Sequence, residues 1–249
     1  MPSSRIIDWL LTPIYFVIFL TILVLFDLLQ RIALYCLGKT AHLRCVKLLN
    51  LCLFYSLRII RTKIEVNHQA KLEAHRSYLI VANHQSLFDI SIIAHILAPL
   101  DCSFIAKKEL SRNIPSVSFN LKHGRNLVID RADGSSAVKE MIRFSKQLQQ
   151  DHFGLVIFPE GTRAKDGVLK PFKQAGLVTL LRTLPEIEVV PVTIDGCWRI
   201  VAHRGLPLLS NQVVRISIAQ ASTRKEGQSP EDFAGQIERT IASQFMHTR

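Results

Sequence analysis

The chain of 249 residues lacks the sequence features of several common protein classes. Its five cysteines include no CxxC pair, and three of them lie in the apolar N-terminal region, so neither a disulfide framework nor a zinc site is indicated. No GxSxG sequence occurs, which leaves a serine-hydrolase mechanism without its scaffold. No cluster of histidine, cysteine and carboxylate residues has metal-ligand spacing, so we expect metal-independent chemistry.

Positive charge is in excess, with a formal net charge of +11 at pH 7. This excess predicts an anionic partner without identifying it. The sequence contains no recognised helix-turn-helix, zinc-finger or aromatic RNA-binding signature, so nucleic acid is not favoured. The mean hydropathy of +0.21 arises largely from the N-terminal quarter of the chain. An apolar N-terminus on a basic chain favours anionic membrane lipid as the partner.

The N-terminal segment, residues 1–62, is predicted to be a membrane-associating pair of helices. Trp9–Phe26 contains no charged residue and is about long enough to cross a bilayer. An apolar continuation to Leu37 argues against a cleaved signal peptide. The next segment, Ala41–Ile60, is apolar on one side and basic on the other, which is an interfacial pattern. We therefore expect one embedded helix and one helix lying on the membrane surface.

The basic side of that second segment is formed by Arg44, Lys47 and Arg58. Two full membrane spans would leave one basic stretch on the outer side, against the positive-inside tendency. This tendency favours one embedded helix and one surface helix over two spans. Separately, the cysteines show no disulfide pattern, which predicts that the catalytic domain faces the cytoplasm.

Residues 63–249 alternate short β-like runs with helical stretches, which predicts an α/β fold, a mixed sheet flanked by helices. The predicted strands are Tyr78–Ala82, Ser103–Ala106, Asn126–Ile129, Leu155–Phe158, Glu188–Ile194 and Val213–Ala219. The predicted helices are Leu87–Leu97, Ser135–Gln149, Phe172–Leu181 and Glu231–Phe245. The boundary between the anchor and this α/β domain is predicted near Arg61 to Ala74.

The segment Asn83–Asp89 offers a histidine base and a carboxylate that could orient it. His84 and Asp89 are five residues apart, so on one helix they would point roughly 140° apart and could not pair. A predicted strand ends just before this segment and an apolar helix follows it. His84 is therefore expected in the strand-to-helix turn, with Asp89 within reach in the first helical turn.

A purely structural interpretation of the same segment remains open. Ser86 and Asp89 have the spacing of a capping box, in which Ser86 is the N-cap and an acid at the third position suits the helix dipole. This segment alone does not decide between the two interpretations.

A second segment, Phe158–Arg163, follows the short apolar run of Leu155–Phe158. It therefore lies at the carboxyl end of a predicted central strand, where open α/β sheets bind ligands. Gly161 would let a ligand approach the backbone, and the Arg163 guanidinium is suited to a phosphate. The alternative is an ordinary turn with Arg163 in water.

With these two segments the chain resembles the glycerolipid acyltransferases, in particular the 1-acylglycerol-3-phosphate (lysophosphatidic acid) acyltransferases. The resemblance covers roughly residues 75–195 and rests on four blocks in the family's order. These blocks are Asn83–Asp89; Lys107–Leu110 with Ile114–Pro115 and Val128–Arg131; Phe158–Arg163; and Val190–Val192. One departure is Ser118, which stands where the family usually has glycine.

The resemblance implies the roles of individual residues. His84 and Asp89 are the implied catalytic residues, with His84 removing the proton of the acceptor hydroxyl. The implied substrate-binding residues are Lys107, Arg131, Glu160, Gly161, Thr162 and Arg163. For Lys107 and Arg131 a purely structural role is the alternative. Glu160 is expected either to pair with Arg163 or to hold the turn, with a role as a second base as the lesser alternative. Backbone N–H groups at the start of the helix that follows His84 are candidate donors to the oxyanion.

The implied reaction moves a fatty acyl group from an acyl thioester to the free hydroxyl of lysophosphatidic acid, which gives phosphatidic acid for phospholipid biosynthesis. No cofactor is implied, because acyl-CoA or acyl carrier protein serves as the thioester co-substrate. The expected partners are membrane lipids, the lysophospholipid acceptor and the donor. The alternatives are another lysolipid acceptor, or a membrane lipid-binding protein without catalytic activity.

Overall fold

Short apolar runs form a seven-stranded sheet in the computed structural model, which describes residues 2–130 and 132–245. The strands are β1 (Lys63–His68), β2 (Tyr78–Ala82), β3 (Ser103–Lys107), β4 (Leu127–Ile129), β5 (Gly154–Ile157), β6 (Glu188–Asp195) and β7 (Val213–Ile218). Their order across the sheet is β1-β7-β6-β2-β5-β3-β4. Neighbouring strands are parallel except β6 and β7, so the prediction of a mixed sheet is confirmed.

Helices cover both faces of this sheet. They are α1 (Pro2–Leu37), α2 (Lys39–Ser56), α3 (Asp89–Ile96), α4 (Val117–His123), α5 (Gly134–Asp151), α6 (Gln174–Thr183), α7 (Cys197–Ile200) and α8 (Pro230–Ser243). All six predicted strands and all four predicted helices of the α/β domain are present, with ends shifted by up to two residues. Strand β1 and helices α4 and α7 were not predicted.

The period-2 alternation of β2 divides the core into two layers. Ile80 and Ala82 face a cluster that includes Tyr15 of α1, whereas Leu79 and Val81 face the cluster formed by α5, α6 and α8. All five residues of β2 are buried, as expected for a central strand with helices on both faces. Helix α1 is therefore on one face of the sheet and α5 is on the other.

Helix α1 is continuous past Asp27, and Gly38 then turns the chain into α2 with a positive φ of 87°. The segment Ile6–Leu37 is apolar and long enough to cross a membrane, and most of its outer face is exposed. Helix α2 ends earlier than predicted. As a result, Arg58 lies beyond the helix, where its guanidinium stacks on the Tyr55 ring at 4.6 Å.

Polar side chains on the inner face of α1 bind the α/β domain at several levels. The Asp8 carboxylate accepts a hydrogen bond from the Ser210 backbone N–H at 2.8 Å. Farther along, Asp27 accepts from the Ser116 backbone N–H at 2.7 Å. Buried polar groups must be hydrogen-bonded, so these pairings fix the position of α1 along the domain.

Candidate active site

The turn between β2 and α3 brings together the two residues predicted to form the catalytic pair. His84 lies two residues beyond β2, and Asp89 is the first residue of α3. His84 Nδ1 lies 2.8 Å from Asp89 Oδ2. Because the turn is not helical, the two side chains can meet, as the spacing requires.

Asp89 is fully buried and also organises the backbone of the turn. Its Oδ2 atom accepts hydrogen bonds from the backbone N–H groups of Gln85 at 2.6 Å and Ser86 at 2.9 Å. The backbone N–H groups of Gln85 and Ser86 are therefore occupied and are not free to bind an oxyanion.

The capping interpretation of this segment is correct in part. Ser86 Oγ accepts from the Phe88 backbone N–H at 3.0 Å, and Asp89 accepts from the backbone N–H of Ser86, which is the reciprocal pattern of a capping box. The prediction that Ser86 is the N-cap is wrong, since α3 begins at Asp89 with Phe88 as its N-cap. Asp89 thus holds the turn and contacts the histidine at the same time.

The contact with Asp89 determines which imidazole nitrogen can act as a base. A carboxylate only accepts hydrogen bonds, so Nδ1 carries the proton in that contact and Nε2 has the free lone pair. The ring stacks on Phe158 with 4.2 Å between centroids. His84 is 17% exposed, enough for a substrate to reach Nε2.

The neighbours of His84 in sequence attach the turn to the end of the adjacent strand β6 and to the start of α7. The Asn83 amide donates to the carbonyl of Ile194 at 2.8 Å and accepts from the Ile194 N–H at 2.7 Å. Gln85 Oε1 accepts from the Cys197 N–H at 2.9 Å. The local sequence does not report these contacts, because the partners lie more than a hundred residues away.

Glu160 holds the His84 turn against the second predicted segment. Its buried carboxylate accepts from the backbone N–H groups of His84 at 2.7 Å and Lys170 at 3.1 Å. Burial raises the pKa of Glu160 from its ordinary 4.5 to about 7, and the two N–H donors oppose that rise. Of the roles predicted for Glu160, holding the turn agrees with these bonds.

The rest of the second segment continues this connection. The Ala164 N–H donates to the His84 carbonyl at 2.7 Å, so the backbone of His84 is bound on both sides. Gly161 has a positive φ of 72°, which favours glycine at that point of the turn. Lys170 donates from Nζ to the Arg163 carbonyl at 2.9 Å and to Thr162 Oγ1 at 3.3 Å.

A cavity of about 1170 Å³ opens beside His84. Its polar end includes Lys107 at the end of β3 and the three residues of Gly161–Arg163. Lys107, Thr162 and Arg163 are exposed there, which gives this rim a positive potential. Arg131, the remaining predicted substrate-binding residue, lies outside the described residues.

The other end of the cavity is apolar and is closed by the N-terminal helices. The side chains that line it there include Phe19, Leu23, Leu43, Leu49 and Leu53. Lys47 of α2 forms an ion pair with Asp101 at the same end. Lys47, which was predicted on the basic side of the interfacial helix, is thus half-exposed and paired with a carboxylate of the α/β domain.

Ser118, the departure from the family pattern, supports the cavity wall through hydrogen bonds to two residues that line it. Its hydroxyl accepts from the Ile114 N–H at 2.9 Å and donates to the Leu110 carbonyl at 3.0 Å. Ile114 and Leu110 both line the cavity. The serine hydroxyl thus ties down a loop whose shape a glycine would leave freer.

The arrangement combines a histidine base, a cationic rim and an apolar chamber in one cavity. Among residues 2–130 and 132–245, no group of three or more histidine, cysteine, aspartate or glutamate side chains is placed to hold a metal ion. The geometry suits removal of a proton from a hydroxyl whose molecule carries both an anionic group and an apolar chain.

Comparisons with known proteins give a consistent picture. The family model described as Acyltransferase matches residues 63–195. A human protein named 1-acyl-sn-glycerol-3-phosphate acyltransferase beta is 32% identical over 139 residues, which cover 56% of this chain and 47% of that protein. A Helicobacter pylori protein named 1-acyl-sn-glycerol-3-phosphate acyltransferase is 43% identical over 101 residues, which cover 40% of this chain and 41% of that protein. The chain thus spans less than half the length of these curated relatives.

A solved structure extends the similarity to nearly the whole chain. The 1-acyl-sn-glycerophosphate acyltransferase of Thermotoga maritima matches with a TM-score of 0.77 and 25% identity. The match covers 96% of this chain and 95% of that one. The similarity therefore includes the N-terminal helices as well as the sheet.

Proposed function

Since the chain belongs to the acyltransferase family, we propose that it moves a fatty acyl group from an acyl thioester to the free hydroxyl of lysophosphatidic acid, which yields phosphatidic acid. One observation carries this proposal: His84 lines the same cavity as the Lys107 and Arg163 cations and a large apolar chamber. The names of the relatives support the same acceptor.

The reaction needs a base for the acceptor hydroxyl. His84 Nε2 takes the hydroxyl proton as that oxygen attacks the thioester carbonyl, and a base of this kind contributes about 10²- to 10⁴-fold to the rate. The C–S bond then breaks, and the thiolate leaves and takes the proton back from the imidazolium. The buried charge of Asp89 stabilises the imidazolium in between.

The acceptor phosphate is assigned to the cationic rim. Arg163 can form paired hydrogen bonds with phosphate oxygens, and Lys107 adds a second positive charge across the cavity mouth. Arg131 stays a prediction as a further phosphate ligand. Gly161 lets the phosphate or the thioester approach the backbone.

The apolar chamber is assigned to an acyl chain. Leucines from both N-terminal helices line it, so chain burial would be favourable by about 0.8 kcal/mol per methylene. The donor is acyl-CoA or acyl carrier protein, and we propose that no further cofactor takes part.

The protein is proposed to lie on one leaflet with the catalytic domain facing the cytoplasm. Asp8 and Asp27 both bind the α/β domain, and they are separated along α1 by about 28 Å at 1.5 Å per residue. A helix perpendicular to the bilayer would carry the attached domain into a hydrocarbon core about 30 Å thick. An in-plane α1, with its apolar outer face in the lipid, avoids that cost.

The test is to purify the protein and incubate it with a panel of lysolipids and both donors, followed by identification of the products by mass spectrometry. Phosphatidic acid formed from lysophosphatidic acid is the expected product. A diacyl product from a different lysolipid alone would move the assignment to another acceptor. No acylated product with any pair would favour a lipid-binding protein.

A further inference from the structure

A short loop beside the N-terminal end of α1 has no part in the proposed reaction. Residues 203–207 form a tight turn in which the Leu206 N–H donates to the His203 carbonyl at 3.2 Å. Arg204 and Gly205 both have a positive φ, of 59° and 87°. This conformation directs Leu206 outward, where it is 60% exposed.

The exposed leucine continues the apolar surface of α1. Trp9 and Leu10 are 59% and 62% exposed, and Trp9 shares a second cavity, of about 530 Å³, with His203 and Pro207 of the loop. A large apolar side chain at the tip of a turn is costly in water and favourable in a bilayer.

Hydrogen bonds join α1 to the residues that directly follow the loop. The Thr12 hydroxyl accepts from the Leu208 N–H at 2.9 Å, and the Asp8 carboxylate accepts from both the N–H and the hydroxyl of Ser210. Thr12 and Ser210 are buried. If the outer face of α1 lies in the membrane–water interface, as proposed above, these hydrogen bonds hold the loop at the same depth in the membrane.

We propose that the 203–207 loop is an additional membrane contact, which inserts Leu206 into the headgroup region of an anionic bilayer beside Trp9. Exposed Arg204 next to the apolar tip suits anionic lipid headgroups, and a tryptophan at this level is typical of a membrane–water interface. The partner is the lipid surface and not another protein, because the patch is continuous with the lipid-facing side of α1.

Each variant in the test carries one added tryptophan, and brominated lipid quenches its fluorescence if the tryptophan enters the bilayer. L206W is compared with the parent protein in vesicles of phosphatidylglycerol and phosphatidylcholine, with or without bromine on the upper acyl chain. The matched control is V138W, at an exposed apolar position of α5 on the opposite face of the sheet. The two natural tryptophans contribute the same background to both variants, and position 206 is exposed enough to accept the larger ring.

The fluorescence that L206W adds should be lost largely in brominated vesicles and should resist the water-soluble quencher acrylamide. The fluorescence that V138W adds should show the opposite behaviour. Equal behaviour of the two variants would overturn the proposal. Protection of L206W from both quenchers would also overturn it, since this result means that a protein surface covers the loop.

Discussion

The turn that holds His84 and the rim that carries Arg163 face the same cavity but are built differently. Around His84, buried carboxylates bind the backbone, and the imidazole contacts both Asp89 and Phe158. On the rim, Arg163 and Lys107 are exposed and have long side chains. The base is therefore preorganised, whereas the cations can adjust to the ligand. Damage to the first should reduce turnover, and damage to the second should weaken substrate binding.

The largest effect is expected when the base itself is removed. H84A should lower kcat by at least about 10²-fold, because the acceptor hydroxyl loses its proton acceptor. The measurement is steady-state turnover of purified protein with lysophosphatidic acid, with folding checked by circular dichroism. H68A replaces an exposed histidine of β1 and is the matched control, with unchanged kcat expected. Near-normal turnover of folded H84A would rule out the proposed base.

Substitution of Asp89 tests whether its role in orienting the His84 imidazole can be separated from its role in holding the turn. D89N should lower kcat by at least about tenfold, since the imidazolium loses its buried counter-charge. It should also lower the free energy of unfolding by about 1–3 kcal/mol, because two backbone N–H groups lose a charged acceptor.

A double-mutant cycle decides between these roles. In the H84A background, D89N should have little further effect on turnover while it still lowers stability. Equal losses of turnover from D89N with and without His84 would mean that Asp89 acts only by holding the turn.

Substitutions of Arg163 test the cationic rim of the cavity. R163A should raise the KM for lysophosphatidic acid roughly ten- to hundred-fold, which corresponds to the about 1.5–3 kcal/mol of a charge-assisted hydrogen bond. R163K should raise it less, because lysine keeps the charge but loses the paired geometry. The donor KM should change little in both variants.

The control for Arg163 is R143A, which removes an exposed arginine from α5 on the opposite face of the sheet and should leave both KM values unchanged. A rise of the donor KM alone in R163A would move Arg163 to the donor site and leave the acceptor phosphate to Lys107 and Arg131.

The smallest effect is expected from Glu160, which connects the turn that holds His84 to the segment that carries Arg163. The pKa of Glu160 is raised from 4.5 to about 7, so the folded protein holds a proton that the unfolded chain has already released between these values. Its contribution to stability is therefore present below pH 4.5 and is lost as the pH rises through about 7. E160Q cannot titrate and should remove this dependence.

The measurement is thermal or denaturant unfolding of wild type and E160Q across this pH range. The free energy of unfolding of wild type relative to E160Q should fall by on the order of 1–3 kcal/mol as the pH rises. Parallel curves for the two proteins would show that Glu160 is ionised throughout.

What the sequence could predict was local in the chain. The pairing of His84 with Asp89 depends on a five-residue turn between a strand and a helix, and both elements have clear apolar patterns. The link from Glu160 to the His84 backbone joins residues 76 positions apart, and no pattern in either segment reports it. The exposed position of Arg163 beside the cavity follows from the strand order, which is likewise non-local.

The errors at β1 and at the end of α2 also arise from contacts between distant parts of the chain. Strand β1 is exposed or half-buried along its length, with Lys63 and Glu65 pointing to solvent, so it lacks the apolar run of a central strand. It forms because it pairs with β7, about 150 residues later. Helix α2 ends before its apolar pattern does, because the segment after Ser56 turns to reach that edge of the sheet.

The most direct test of the central claim is acceptor selectivity. The measurement is the ratio of kcat/KM for lysophosphatidic acid to that for lysophosphatidylcholine, in wild type and in R163A. We expect a wild-type ratio above about ten, because lysophosphatidylcholine lacks the charge-assisted contact between the phosphate monoester and Arg163. In R163A the ratio should be much smaller, while turnover at saturating substrate is nearly retained. A wild-type protein that accepts both lysolipids equally, or an R163A protein that keeps the full preference, would contradict it.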